Sequence, residues 1–284
     1  MRRALRGGDS QQDYAGLNRT PRPGHADFPA HVRYGGHQDP SGGGHFSGRL
    51  TAPLCLAGGL FMQMLLSRGI RIGAQLLQVG EVQGRAFDPM DPELDSLKED
   101  YIRTLDPDTA DAMGKAINEA RLAGDSLGGV VECAAVGLPV GLGEHMFDGL
   151  ENRIAQAVFG IPAVKGIAFG SGFEGTEMRG SQHNDAWVME EGQVRSSSNR
   201  HGGILGGMST GMPLVFTVAF KPTSSIFLKQ DTVDLDTMRP AQLELKGRHD
   251  PCVVPRAVPV VEAACAMALF DALMEKDRGE HTWT

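Results

Sequence analysis

Apolar positions in this chain gather into segments with two different periods. From Thr51 to Arg68 they recur at helical spacing, with Leu56, Leu60, Met64 and Leu65 on one face and Pro53 in the first turn, which predicts a helix. Ile70 to Val82 reads as a strand. Two acidic-to-basic patterns predict helices over Pro92 to Leu105 and Pro107 to Leu122, and strand character returns from Asp125 to Val136. A helix follows from about Glu144 to Phe159, then a strand from Ala163 to Phe169. Gly170 to Arg200 reads as a long polar loop region. Met212 to Phe220 and Ser225 to Leu228 are rich in β-branched and aromatic residues and read as buried strands. The last apolar pattern predicts a helix over Val258 to Lys276. Residues 1–49 carry almost no periodicity and predict a binding loop or a tail.

Strands and helices mix without strict βαβ alternation, which predicts an α+β fold. No internal repeat and no clear linker divides the 284 residues, so one domain over 1–284 is expected. A hydrophobic content of 41% suits a large packed core. The net charge of -8 and a pI near 5.6 argue against a nucleic-acid partner. Arginines crowd the N-terminus, but no aromatic residues interleave with them to stack bases. Cys55, Cys133, Cys252 and Cys265 lie far apart with no CxxC, as expected of free thiols in a reducing cytosol. Pro53 to Ser67 is shorter than the roughly 20 residues that span a bilayer, and no apolar stretch follows the first arginines as in a signal peptide. A soluble, cytoplasmic protein is expected.

Several polar stretches are harder to explain by packing. Gly247-Arg248-His249-Asp250-Pro251-Cys252 sets a cation, an imidazole and a carboxylate before a long apolar segment, where unpartnered ionisable groups are costly. Pro21-Arg22-Pro23-Gly24-His25-Ala26-Asp27 holds Arg, His and Asp between stiffening prolines. Gly42-Gly43-Gly44-His45-Phe46-Ser47-Gly48-Arg49 opens the first predicted helix and suits an anion, although no P-loop lysine is present. Asn199 to Gly211 carries five glycines in thirteen residues, a density that suits close approach of backbone to a flat ligand. Lys221-Pro222-Thr223-Ser224-Ser225 places one cation and three hydroxyls at a strand end, as suits a phosphate; a solvated β-turn is the competing reading. His249 and Cys252 have H-x-x-C spacing without a second pair, so no metal is expected. No GxSxG elbow is present.

Together these stretches resemble chorismate synthase, from about Asp13 to about Met274. RPGHAD, GGGHFSGRLT, DSLGGVVE, AVKGIAFGSGF, NRHGGILGGMSTG with FKPTSS, and GRHDPCVVPRAVPVVEA occur in the family's order. The resemblance implies a sandwich of antiparallel sheets flanked by helices, assembled as a homotetramer. It implies a lyase of the shikimate pathway, in aromatic amino-acid biosynthesis. This lyase converts 5-enolpyruvylshikimate 3-phosphate to chorismate and phosphate by a 1,4-anti elimination that requires reduced FMN. NAD(P)H serves as flavin reductant in some members. By resemblance, His25 lies near the flavin and protonates or stabilises it, and Asp250 helps flavin N5 take the C6 proton. Flavin contacts would come from His45, Phe46, Ser47, Pro162, Ala163, Gly206, Lys221, Pro222, Thr223, Ser224, Ser225 and Arg248. Arg22, Arg49 and Arg248 would bind the substrate's anions.

Two departures stand out. Many members carry Arg-Ser-Ser where this chain has His45-Phe46-Ser47. The family's Gly-x-Ser-His-Gly segment, whose histidine serves as an acid toward the leaving phosphate, has no match here. The resemblance therefore implies an N-terminally truncated domain without its first strands. It leaves open a fragment or paralogue that binds flavin without turnover.

Overall fold

The computed structural model describes residues 17, 19–39, 43–245 and 249–282. Helix α1 (Asp27–Tyr34) and helix α2 (Ala52–Leu66) precede strands β1 (Arg71–Val79) and β2 (Val82–Gln83). Helix α3 (Pro107–Leu122), strand β3 (Gly129–Val136), helix α4 (Leu150–Phe159) and strand β4 (Val164–Phe169) follow. A short helix α5 (Gly180–His183) leads to hairpins β5 (Trp187–Glu190)–β6 (Gln193–Ser196) and β7 (Ile204–Leu205)–β8 (Met208–Ser209). Strand β9 (Leu214–Phe220), hairpin β10 (Gln230–Asp234)–β11 (Arg239–Leu243) and helix α6 (Val254–Thr282) complete the order.

The central sheet has five antiparallel strands in the order β2-β1-β3-β9-β4. Side chains alternate across it, so the cross-strand pair Leu76–Val131 faces one side and its neighbour Gln75–Glu132 the other. On the first side Leu76, Val131, Cys133, Phe216 and Val218 join one core with Ile154, Val261 and Leu269 of the helices. There α6 lies on β1 and β3, α4 lies beside β4, and α2 packs on α6. A Cβ at Gly58 would collide with Ala263, so the two helices cross where only glycine fits.

The second side is covered by a strap, residues 84–105. Phe87 of this strap packs with Ala134 and Val215, and Leu94, Leu97 and Leu105 pack around them. The helix predicted over Pro92 to Leu105 is reduced to one 3₁₀ turn, Leu94–Ser96. Its backbone is drawn to buried polar partners instead: Phe87 N donates to Glu132 Oε2 at 2.8 Å and Leu105 N to Gln75 Oε1 at 3.0 Å. Burial pushes the Glu132 carboxyl up, against the lowering effect of the Phe87 N–H and the Gln75 amide. Such tertiary bonds outweigh a helix propensity worth tenths of a kcal/mol per residue.

Other expectations also shift. The face of α2 carrying Leu56, Leu60 and Met64 is exposed, Leu56 by 74%, while Gly58 and Leu65 are buried. The small-residue side won the contact with α6. Residues 48–66 and 254–278 each form a helix long and apolar enough to cross a membrane, and the second is mostly buried. Ser225 to Leu228 forms no strand. The polar β10–β11 hairpin and α1 carried no period in the sequence to reveal them. The cysteines are free thiols, with Cys133, Cys252 and Cys265 buried.

Candidate functional site

β9 ends at Phe220, and the chain beyond it is stapled to three other loops. Lys221 N donates to Ala163 O at 3.0 Å, and Ala163, after Pro162, holds a left-handed φ of 75°. Ser126 Oγ donates to Thr223 O at 2.7 Å, Thr223 Oγ1 donates to Asp250 O at 2.8 Å, and Leu127 N donates to Pro251 O at 2.8 Å. The DSLGGVVE turn therefore fastens the Lys221–Ser225 segment and the Asp250 segment to one end of the sheet.

The RPGHAD stretch lies on this frame. Lys221 Nζ donates to Gly24 O at 2.9 Å, and Thr232 Oγ1 donates to Pro21 O at 2.5 Å. Arg22 forks onto Asp27, Nε to Oδ2 at 2.7 Å and Nη2 to Oδ1 at 2.8 Å, and its Nη1 donates to Ser225 Oγ at 3.1 Å. His25 Nδ1 lies 2.5 Å from Asp27 Oδ1. On the far side of the ring, Nε2 faces Gly43, and the ring meets Phe46 edge-on at a centroid distance of 6.4 Å. Ser47 Oγ accepts from Arg49 N at 3.2 Å and caps the turn that leads into α2. His45, Phe46 and Arg49 are exposed. Asp250 pairs through Oδ2 with Arg256 Nη1 at 2.9 Å.

Two electrostatic facts mark this frame. Burial lowers the Lys221 ammonium from its ordinary value, and Lys165 on β4 lowers it further by repulsion. Two cations brought near each other beside the Ser224 and Ser225 hydroxyls favour an anion. Burial alone would raise the Asp27 carboxyl, but hydrogen bonds from Arg22 and His25 and their charges hold it well below the carboxylate range.

Most of the residues singled out in the sequence thus share one frame: His25, Ser47, Phe46, Pro162, Ala163, Lys221 to Ser225 and Asp250. Arg22, to which the resemblance assigns the substrate's anions, turns inward. Its side chain is 3% exposed and its donors go to Asp27 and Ser225 rather than outward, because a buried guanidinium pairs with the nearest carboxylate. Gly206 sits in the tip of the β7–β8 hairpin, which joins the Leu214 end of β9 through Thr210 N to Gly203 O and Val215 N to Gly202 O. β9 is about 20 Å long, so this tip starts from the opposite end of the strand. The glycines beside it approach other backbone, not an open face: a Cβ at Gly202 would meet Gly170 and one at Gly203 would meet Pro213. Arg248 lies outside the described residues. Among those described, no cluster of three or more His, Cys, Asp or Glu could hold a metal.

The family model for chorismate synthase matches residues 5–274. The chain belongs to the chorismate synthase family. It is 47% identical over 266 residues to the chorismate synthase of Korarchaeum cryptofilum, covering 94% of this chain and 73% of that one. Against the Thermococcus gammatolerans chorismate synthase it is 48% identical over 268 residues, covering 94% and 74%. A crystal structure of chorismate synthase superposes with a TM-score of 0.73 at 30% identity, over 87% of this chain and 70% of that one. Chorismate synthases are lyases, and the α+β architecture here is theirs.

Three contributors, Lys165, Arg256 and Ser126, were given no role by the sequence, and a fourth, Asp27, was singled out without its partners. Asp27 was visible two residues after His25, but its grip on both His25 and Arg22 was not. Lys165 is the one cation of β4. Arg256 follows Asp250 by six residues and returns to it across the first turn of α6. Ser126 gave no signal beyond its turn.

Proposed function

We propose that this chain catalyses the chorismate synthase reaction, the 1,4-anti elimination of phosphate from 5-enolpyruvylshikimate 3-phosphate, with reduced FMN at the Phe220 end of the sheet. The observation that carries this reading is the convergence of His25, Lys221 and the Thr223–Ser225 hydroxyls on one stapled frame. The same set fits a phosphate-bearing flavin: Lys221 and Lys165 for charge, the Ser224 and Ser225 hydroxyls for hydrogen bonds, and Thr223, whose hydroxyl donates to Asp250 O, to hold the segment in place. Reduced flavin, when bound, supplies electron density to the allylic C–O bond and recovers it as the proton leaves.

The chain's own residues hold and orient. Pro162, Ala163 and Pro222 set the backbone wall, with Ala163 O anchoring Lys221 N. His45, Phe46, Ser47 and Arg248 complete the flavin contacts; Gly206, at the other end of β9, is left out of them. Arg49, exposed at the start of α2, and Arg248 take the substrate's anions, since guanidinium forks match carboxylate and phosphate. Asp250, held by Arg256, stands by for the C6 proton. The protein works as one domain in the cytoplasm, as a homotetramer, with NAD(P)H or an external donor reducing the flavin.

The test is anaerobic. Chemically reduced FMN, the purified chain and 5-enolpyruvylshikimate 3-phosphate are mixed, and phosphate release and the flavin spectrum are followed together. Phosphate release is expected. A spectral change without release would overturn the reading in favour of a chain that binds flavin without turnover, and neither signal would overturn it altogether.

A further inference from the structure

The contacts around His25 settle which ring nitrogen carries its proton. Asp27 is ringed by donors: Arg22 Nε at 2.7 Å and Arg22 N at 3.0 Å on Oδ2, Arg22 Nη2 at 2.8 Å on Oδ1. Such a carboxylate has no proton of its own to give, so the 2.5 Å contact between its Oδ1 and His25 Nδ1 needs a hydrogen on Nδ1. A bare Nδ1 would set two lone pairs against each other at that distance. Arg22 Nη2, which can only donate, lies 3.0 Å from Nδ1 and would suit a bare Nδ1, but it is closer to Oδ1 at 2.8 Å and donates there, and the 2.5 Å carboxylate contact is the shorter claim on Nδ1. In the neutral ring Nε2 then carries the lone pair, and it is Nε2 that faces Gly43 and the GGGHFSG turn.

We propose that Asp27 is a positioning residue that keeps a proton on Nδ1 of His25, so that Nε2 is the ring nitrogen that exchanges a proton with the ligand, and that Arg22 serves as the lock on Asp27. This rests on the proposed function in that the ligand is the flavin–substrate pair. Arg22 also ties the lock to Ser225, so the histidine's setting is coupled mechanically to the Lys221–Ser225 segment. Asparagine at position 27 keeps the shape but offers an amide N–H that stabilises the opposite tautomer.

The full chain, ¹⁵N-labelled at its nine histidines, is studied by long-range ¹H–¹⁵N NMR. His25 is assigned by comparison with His25→Gln. In its neutral form, located by titrating the ring's own signals, the wild-type ring should show a protonated Nδ1 and an unprotonated Nε2. Asp27→Asn should shift the population toward Nε2–H and lower kcat by roughly 10²–10⁴-fold, with flavin affinity unchanged. Asp27→Glu should restore the wild-type tautomer. A neutral wild-type ring with its proton on Nε2 would overturn the proposal without any variant, as would an Asp27→Asn spectrum identical to the wild type. The spectra answer even if no phosphate is released, so failure of the proposed function and failure of this inference are told apart.

Discussion

The two ends of β9 use polar residues in opposite ways. At the Leu214 end Asn199 is buried and fully spent: Nδ2 donates to Pro89 O and Pro213 O, each at 2.8 Å, and Oδ1 accepts from Gly203 N at 2.7 Å. Its glycine-rich surroundings bring backbone against backbone. At the Phe220 end Lys221 is only partly buried, is repelled by Lys165, and lies beside hydroxyls and an imidazole that faces outward from its own lock. Glycine density therefore marked packing, whereas the proline-stiffened Arg, His, Lys and Ser stretches marked a place that still has interactions to make.

That contrast can be broken most easily at Asn199. Asn199→Ala leaves two carbonyls and one N–H unpaired in the interior and should cost about 3 kcal/mol or more in urea unfolding. Its residual folded fraction should bind flavin normally. A stable variant that lost flavin would erase the distinction between the ends. Lys221→Met should act the other way. FMN affinity should fall by the worth of a charge-assisted hydrogen bond, about 1.5–3 kcal/mol, in a fluorescence titration, with a loss of stability smaller than that of Asn199→Ala, since only the bond to Gly24 O goes with the ammonium. A smaller effect of the same sign is expected for Lys165→Gln, a few-fold in affinity, since it acts on the anion at longer range.

The pH dependence sharpens the same point. The Lys221 value is lowered in the folded chain, so between that value and the ordinary one near 10.5 the unfolded chain binds more protons. Stability from this residue should therefore rise with pH across that alkaline window, and Lys221→Met should flatten the rise. Anion binding should reverse the shift, and calorimetry in buffers of different ionisation enthalpy should detect proton uptake there.

How much of this was legible in the sequence differs by element. α3, β3, β4 and β9 followed from their periods because each buries its apolar side against one partner layer. The strap at 84–105 defeated the helical reading because Glu132 and Gln75, distant in sequence, take its N–H groups. Of the α2 face carrying Leu56, Leu60, Met64 and Leu65 only Leu65 is buried, because Gly58 sets the approach to α6. At the site, the residue types were visible, but who partners whom was not. Arg22 looked like an anion ligand until Asp27 occupied it, and the meeting of Lys165 with Lys221 depends on the pairing of β4 with β9.

The most direct measurement is anaerobic phosphate release from 5-enolpyruvylshikimate 3-phosphate by the wild type and by His25→Gln, at saturating reduced FMN. The account predicts release by the wild type and a loss of roughly 10²–10⁴-fold in the variant, with flavin affinity and unfolding midpoint unchanged. Equal rates in the two chains would contradict it.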